Sequence, residues 1–251
     1  MATQTVTAYP VVRDVAALHA FLGAVFGAAE KFRAIGSAGG YHTEVQIGDT
    51  VVMIGGGGPD VAWKGEERPM AFHIYVPDVD AAYQRALDGG AVSLQAPADQ
   101  EWGERTANVR DPSGNHWHIA TFQGKDYFSE GAPTVQPYLL PLRGERLIAF
   151  LVDAFGATEL GRAATADGVI LHTTLKIGDS ALELADASGD YQPMPGMFYV
   201  YVDDVDAVYV RCLKAGAESH SAPADQSYGD RTASVRDGSG NTWYIAARLA
   251  N

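Results

Sequence analysis

APADQEWGERTANVRDPSGNHWHIAT (Ala96–Thr121) and APADQSYGDRTASVRDGSGNTWYIAA (Ala222–Ala247) are one sequence written twice, with 18 of the 26 positions identical and no gap. Working outward, YVPDVDAAYQRALDGGA (Tyr75–Ala91) matches YVDDVDAVYVRCLKAGA (Tyr201–Ala217) at the same spacing of 126. YHTEVQIGDTVVMIG (Tyr41–Gly55) matches LHTTLKIGDSALELA (Leu171–Ala185) at 130, and the segments opening at Ala8 and Pro137 match at 129. Internal repetition at fixed spacing decides the architecture before any local reading does. The 251 residues are therefore a tandem duplication, with halves 1–123 and 134–251. Between them GKDYFSEGAP (Gly124–Pro133) has turn residues and no apolar period, the pattern of a linker.

Each half repeats the same order of elements. Thr5–Val12 alternates as a short strand, and Val15–Phe26 sets Val15, Leu18, Leu22 and Phe26 on one helical face. Tyr41–Ile47, the turn Gly48-Asp49 and Thr50–Ile54 read as a hairpin. Across that turn Ile47 pairs with Thr50 and Glu44 with Met53, so His42 and Glu44 share the face of Met53; the same count puts His172 and Thr174 on the face of Glu183. Phe72–Val76 reads as a strand and Val79–Leu87 as a helix with Asp78 or Asp80 near its start. Arg105–Arg110, the turn Asp111–Gly114 and His116–Ala120 close as a second hairpin. With one more short strand, this gives a βαβββ module twice in each half.

Composition narrows the function classes. With 18 Lys+Arg against 31 Asp+Glu the net charge is −13, which repels phosphate backbones and anionic lipid. Nucleic-acid and membrane partners are therefore not expected. The chain's single cysteine, Cys212, excludes an intramolecular disulfide framework and a multi-cysteine metal site, and it reads as a small buried hydrophobe. No apolar run reaches the ~18 residues of a membrane span and residues 1–7 lack signal-peptide character, so a cytoplasmic protein is expected.

Each half resembles the vicinal-oxygen-chelate superfamily, which holds glyoxalase I, bleomycin-resistance proteins, fosfomycin-resistance enzymes and extradiol dioxygenases. The helix ending FGA (Phe26–Ala28, Phe155–Ala157), the IGD hairpins, the DVDA junctions and the closing turn after Arg110 carry the likeness. The Gln-x-aromatic-Gly-acid-Arg segments (Gln100–Arg105, Gln226–Arg231) are most similar to its PhnB-like branch. The resemblance implies an α+β fold of paired βαβββ modules, two curled eight-stranded mixed sheets with flanking helices, and a cup for a small molecule.

The same resemblance implies metal ligands at four strand positions. These fall at Thr7, Met53, His73 and His118 in the first half, and at Gln136, Glu183, Tyr199 and Tyr244 in the second. Neither half alone keeps a full set, because a methionine and two tyrosines are poor ligands for hard divalent ions. In dimeric glyoxalase I a site draws two ligands from each chain. Applied to fused halves, that exchange implies one composite site of Gln136, Glu183, His73 and His118, suited to one Zn, Ni, Fe or Mn ion. His118 stands where some glyoxalase I enzymes have a final glutamate, which removes that family's base. His172 or Glu44 is the candidate to move protons in its place.

Further candidates for ligand contact are His42, Trp102, Arg105, His116, Tyr199, Tyr228, Arg231 and Tyr244. Each has a structural alternative: a satisfied histidine, an aromatic packed on its sheet, or arginines that neutralise Asp111 and Asp237. Trp117 and Trp243 alternate with the cup-facing positions and belong to the helix–sheet core. His19 and His220 read as helix-surface and loop residues, and the glycines Gly55–Gly58 as a loop. The leading functional reading is a divalent-metal enzyme of lyase, isomerase or dioxygenase type acting on a small oxygen-bearing substrate. The second is a metal-free protein that sequesters a small molecule, as bleomycin-resistance proteins do, and it needs no cofactor. The fused pair already supplies what a homodimer gives single-domain relatives, so a monomer is expected, with a homodimer as the alternative.

Overall fold

The first module is β1 (Val6–Ala8), β2 (Val11–Val12), α1 (Val15–Phe26), β3 (Ala29–Ile35), β4 (Tyr41–Ile47) and β5 (Thr50–Gly56). The second is β6 (Ala71–Tyr75), α2 (Val79–Asp88), β7 (Val92–Asp99), β8 (Glu104–Arg110) and β9 (His116–Phe122). The third is β10 (Val135–Leu139), α3 (Gly144–Phe155), β11 (Thr158–Ala164), β12 (Ile170–Ile177) and β13 (Ser180–Leu184). The fourth is β14 (Met197–Tyr201), α4 (Val205–Lys214), β15 (Glu218–Asp225), β16 (Asp230–Arg236) and β17 (Thr242–Arg248). This computed structural model describes residues 4–36, 38–61, 63–124 and 132–249. Most of the expected linker, residues 125–131, lies outside the described residues.

The α+β class and the repeated module are those expected. Each module starts on a strand that pairs in parallel with the last strand of a hairpin: β2 with β5, β6 with β9, β10 with β13 and β14 with β17. The hairpins themselves are antiparallel, so the sheets are mixed. The expected strand Thr5–Val12 is two strands, interrupted at Tyr9-Pro10. Pro10 has no N–H for a ladder, and its carbonyl instead accepts from the Gly55 amide. The glycine run is likewise part of the sheet at its start. Val12 lies opposite Gly56, whose φ is 136°, and a side chain there would run into the Val12 carbonyl.

Two compact units result. One comprises Tyr9–Pro137, with strand orders β2-β5-β4-β3 and β6-β9-β8-β7. The other comprises Met1–Ala8 and Tyr138–Asn251, with orders β1-β14-β17-β16-β15 and β11-β12-β13-β10. The units follow the sequence repeats except at the leading strand. β1, from the first repeat, pairs with β14 of the second through Thr7 and Tyr199. Conversely, residues 135–137 of β10 belong with the first repeat, where the Tyr75 amide donates to the Thr134 carbonyl.

In each unit the core lies between helices and sheet. Trp117 is fully buried, stacks on Phe72 at 4.5 Å and meets Phe26 of α1 at 4.9 Å. Trp243 does the same with Phe198 at 4.4 Å and Phe155 at 5.2 Å. Their indole N–H groups donate to Asp111 and Asp237 at 2.9 and 2.8 Å. Each carboxylate also accepts from an asparagine side chain and two turn amides, which makes the Asp-x-Ser-Gly-Asn turn a polar plug under an aromatic core. Burial pushes both carboxyls above the usual carboxylate range despite those donors. Cys212 is buried on α4 and its thiol is pushed up to about 12, the inert state expected of it.

Candidate functional site

Strand alternation sorts the candidates. In the unit Tyr9–Pro137, His73 of β6 and His118 of β9 are register partners on adjacent parallel strands. Residues that face each other across a ladder project from the same side. Trp117, one residue away, points to the helices, so both imidazoles stand on the opposite face, with Tyr75 ring to ring against His73 at 4.5 Å. His73 is buried and His118 half-buried. His116 is on this face too, at the start of β9, and burial together with the nearby Arg110 lowers its pKa. Gln136, two residues beyond the Thr134 carbonyl that Tyr75 contacts, is buried.

In the unit of Met1–Ala8 and Tyr138–Asn251, Glu183 is 2% exposed, at the register position shared by Thr174 of β12 and Tyr138 of β10. His172 lies on the same face, its Nε2 3.4 Å from Glu183 Oε2. The register count across the hairpin holds in both repeats: Glu44 opposes Met53, as Thr174 opposes Glu183. Of the two candidate proton carriers, His172 is therefore beside a proposed ligand. Glu44 is beside Met53, in the β2-β5-β4-β3 sheet rather than in the one that holds His73 and His118. Thr7, Tyr199 and Tyr244 line up across β1, β14 and β17. Among the described residues, no group of three or more His, Cys, Asp or Glu side chains is gathered as a metal site.

Other candidates land elsewhere. Arg105 and Arg231 project from the helix face, the opposite side from His118 and Tyr244. They do not neutralise Asp111 and Asp237. Arg105 binds Asp80 of α2 through two hydrogen bonds of 2.6 and 2.9 Å and reaches Asp99 at 3.1 Å; Arg231 repeats this with Asp206 and Asp225. These pairings hold the Asp80 and Asp206 carboxyls below their ordinary range. Trp102 is 51% exposed in the β7–β8 turn, and Tyr228 is exposed in the matching β15–β16 turn. His42 Nδ1 and the Tyr9 hydroxyl share a 2.8 Å hydrogen bond, and burial lowers the histidine's pKa against the pull of Glu44. His19 is not a surface residue: it bridges α1 to Thr43 Oγ1 and to Glu30, each at 2.9 Å. His220 lies in the strand β15 rather than in a loop.

Sequence reading missed Glu104. It is 2% exposed on the face of His118 and accepts from the Tyr75 hydroxyl at 2.8 Å and from Trp102 Nε1 at 2.9 Å. The available signal was parity: Glu104, Thr106 and Asn108 alternate in step with His118. In the first repeat the Gln-x-aromatic-Gly-acid-Arg segment thus ties Trp102 to a buried carboxylate.

Residues 8–119 and 143–245 match the model of the Glyoxalase/Bleomycin resistance protein/Dioxygenase superfamily, one match for each repeat. The chain belongs to this superfamily. The crystal structure of glyoxalase I from Zea mays is similar in fold to this superfamily member, with a TM-score of 0.72 at 16% identity, covering 96% of this chain and 92% of that one. Among curated relatives, the protein named "Putative glyoxylase CFP32" from Mycobacterium tuberculosis is 25% identical over 84% of this chain and 82% of its own length. An uncharacterised protein of Mycobacterium bovis is 40% identical over 75 residues, 30% of this chain. That match spans about half of the relative's length, 49%.

Proposed function

We propose that this superfamily member is a divalent-metal-dependent enzyme acting on a small oxygen-bearing substrate, with His73, His118, Gln136 and Glu183 as the metal ligands. The observation that carries the reading is Glu183, a carboxylate buried to 2% exposure where the other repeat has the apolar Met53. Burying a carboxylate is costly unless a cation or donors compensate, and His172 Nε2 at 3.4 Å is one such partner. The donor types suit the group, two imidazoles, a carboxylate and an amide oxygen for Zn, Ni, Fe or Mn; His73 and His118 are register partners, while no three His, Cys, Asp or Glu side chains are gathered among the described residues. When bound, such an ion polarises a carbonyl or steadies an enolate-like state.

The chain's own residues supply the remainder. His172 Nε2, 3.4 Å from Glu183, orients that carboxylate and is placed to take up or release a substrate proton. Within the other unit, Glu104 accepts from the Tyr75 hydroxyl and from Trp102 Nε1 on the face of His118. Elemental analysis of the purified protein is the test, with one metal per chain expected and Glu183→Ala expected to lose it. Full occupancy in that variant overturns the ligand set. No metal after reconstitution of the unaltered chain selects the metal-free binding protein instead.

A further inference from the structure

Three aromatic rings rest on the glycine run that ends β5. A side chain at Gly55 would meet the Tyr9 ring at 2.9 Å, one at Gly57 the Trp63 indole at 3.1 Å, and one at Gly58 the Tyr41 ring at 2.9 Å. Trp63 also lies on Gly40, just ahead of β4, and on Gly65, 2.6 and 2.5 Å from the Cβ each would carry. Only glycine lets a ring come this close to the backbone. The half-buried indole is thus seated among three glycines, two flanking the β4–β5 hairpin and one in its own segment.

This arrangement belongs to the first repeat alone. Matching segments are spaced by 130 before the β5–β6 connection and by 126 after it, so the first repeat holds four more residues there. The bridges Gly58↔Val61 and Val11↔Arg68 match Ser188↔Tyr191 and Leu140↔Met194, which confines the extra residues to the stretch between Val61 and Arg68. Where the first repeat has Gly40 and Gly57, the second has Ile170 and Ala187, side chains that an indole seated there would strike. The inserted tryptophan and its bare seat therefore come as a set.

Little besides that seat holds the segment. Lys64–Glu67 are exposed and, among the described residues, Trp63–Glu67 make no backbone–backbone hydrogen bond. At one end the Val61 amide donates to the Gly58 carbonyl; at the other, Val11 and Arg68 exchange two hydrogen bonds of 3.0 and 2.7 Å. Glu67 pairs with Arg13 at 2.6 Å, but that guanidinium is 85% exposed and such surface pairs contribute little. Segments with few buried contacts open locally ahead of the rest of the fold. We propose that Trp63–Glu67 is a hinged latch, shut by the indole on its glycine seat, which opens between Val61 and Arg68 while the β2-β5-β4-β3 sheet stays folded. Opening bares Gly40 and Gly57, so access to this end of the sheet depends on one moving side chain. The motion does not depend on the metal reading.

Fluorine NMR of the full chain labelled with fluorotryptophan is the test, because the chain has four tryptophans and Trp63→Phe assigns the signal of Trp63. In the unaltered chain that signal should be the signal of a shielded ring. Gly65 is exposed with ordinary backbone, and a methyl added there has only Trp63 indole atoms as its three nearest neighbours. Gly65→Ala should therefore raise the ratio of open to closed latch at least tenfold, the open form being marked by a full solvent isotope shift. The signals of the buried Trp117 and Trp243 should stay in place. Trp63→Ala, which removes the fastening outright, should keep those two signals and the circular dichroism of the unaltered chain. A Trp63 signal that Gly65→Ala leaves unchanged overturns the proposal. So does a Trp117 signal that moves with that of Trp63, or loss of folding in Trp63→Ala, since opening would then be unfolding of the sheet.

Discussion

Asp111 shows how much one side chain can organise. Its two oxygens receive the Trp117 indole, the Asn115 amide and the backbone amides of Ser113 and Asn115. Asp111→Ala strands four buried or half-buried donors at once, and unsatisfied buried groups cost about 1–3 kcal/mol each when they cannot relax. We expect about 3 kcal/mol of destabilisation in urea unfolding followed by tryptophan fluorescence; a loss below about 1 kcal/mol would show the turn to be self-sufficient. Residue-level reading from sequence worked where alternation was strict. Alternation along its own strand puts Trp117 in the core, and the IGD turn fixes the register that puts His42 and Glu44 on the Met53 face. It failed for Arg105 and His19, whose partners Asp80 and Glu30 are brought close only by the packing of α2 and α1 on their sheets.

At the scale of elements, the two repeats cap their first helices differently. In α1 the N-cap Asp14 accepts from the Ala17 amide at 3.0 Å. In α3 the N-cap is Arg143 with no side-chain cap bond, and Asp186 beyond β13 serves from outside: Oδ1 accepts from the Gly144 amide at 2.5 Å and Oδ2 from the Ile170 amide at 2.9 Å. Asp14→Ala should cost about 1 kcal/mol, the usual worth of an N-cap. Asp186→Ala should cost about 2 kcal/mol, because two amides in separate elements lose their acceptor. Equal losses in paired denaturant titrations would show that the remote cap acts on the helix alone. The helices and central strands were legible in sequence, α1 and β4 to the residue. β3, β7, β11 and β15 were reduced to one unplaced short strand, because these edge strands are exposed at most positions and carry no apolar alternation.

For the whole molecule, acidity is the natural lever. Burial is the leading reason that His19, His42 and His116 all sit below their ordinary value of 6.5. The folded state then binds fewer protons than the unfolded chain, so stability rises with pH through that window and falls as pH drops below about 6.5. Melting temperature should be lower at pH 5.5 than at pH 7.5, with a shallower dependence in His42→Gln. An unchanged slope in that variant would remove His42 from the account. No described helix is long and apolar enough to cross a membrane. The duplication and its family were readable in full from the repeated segments. The regrouping of the leading strands was not, because local pattern shows that Val6–Ala8 is a strand but not which partner completes its ladder.

That regrouping bears on how the chain is made. The Thr5 amide donates to Asp179 and the Val6 amide to Ser180, each across 174 residues, and β1 waits still further for Tyr199. During synthesis β1 emerges long before its partners, and a long loop must close before it gains anything. Polypeptides truncated before β14 keep Val6–Ala8 as an unpaired edge, so the order of synthesis makes this strand an aggregation hazard until β14 is made.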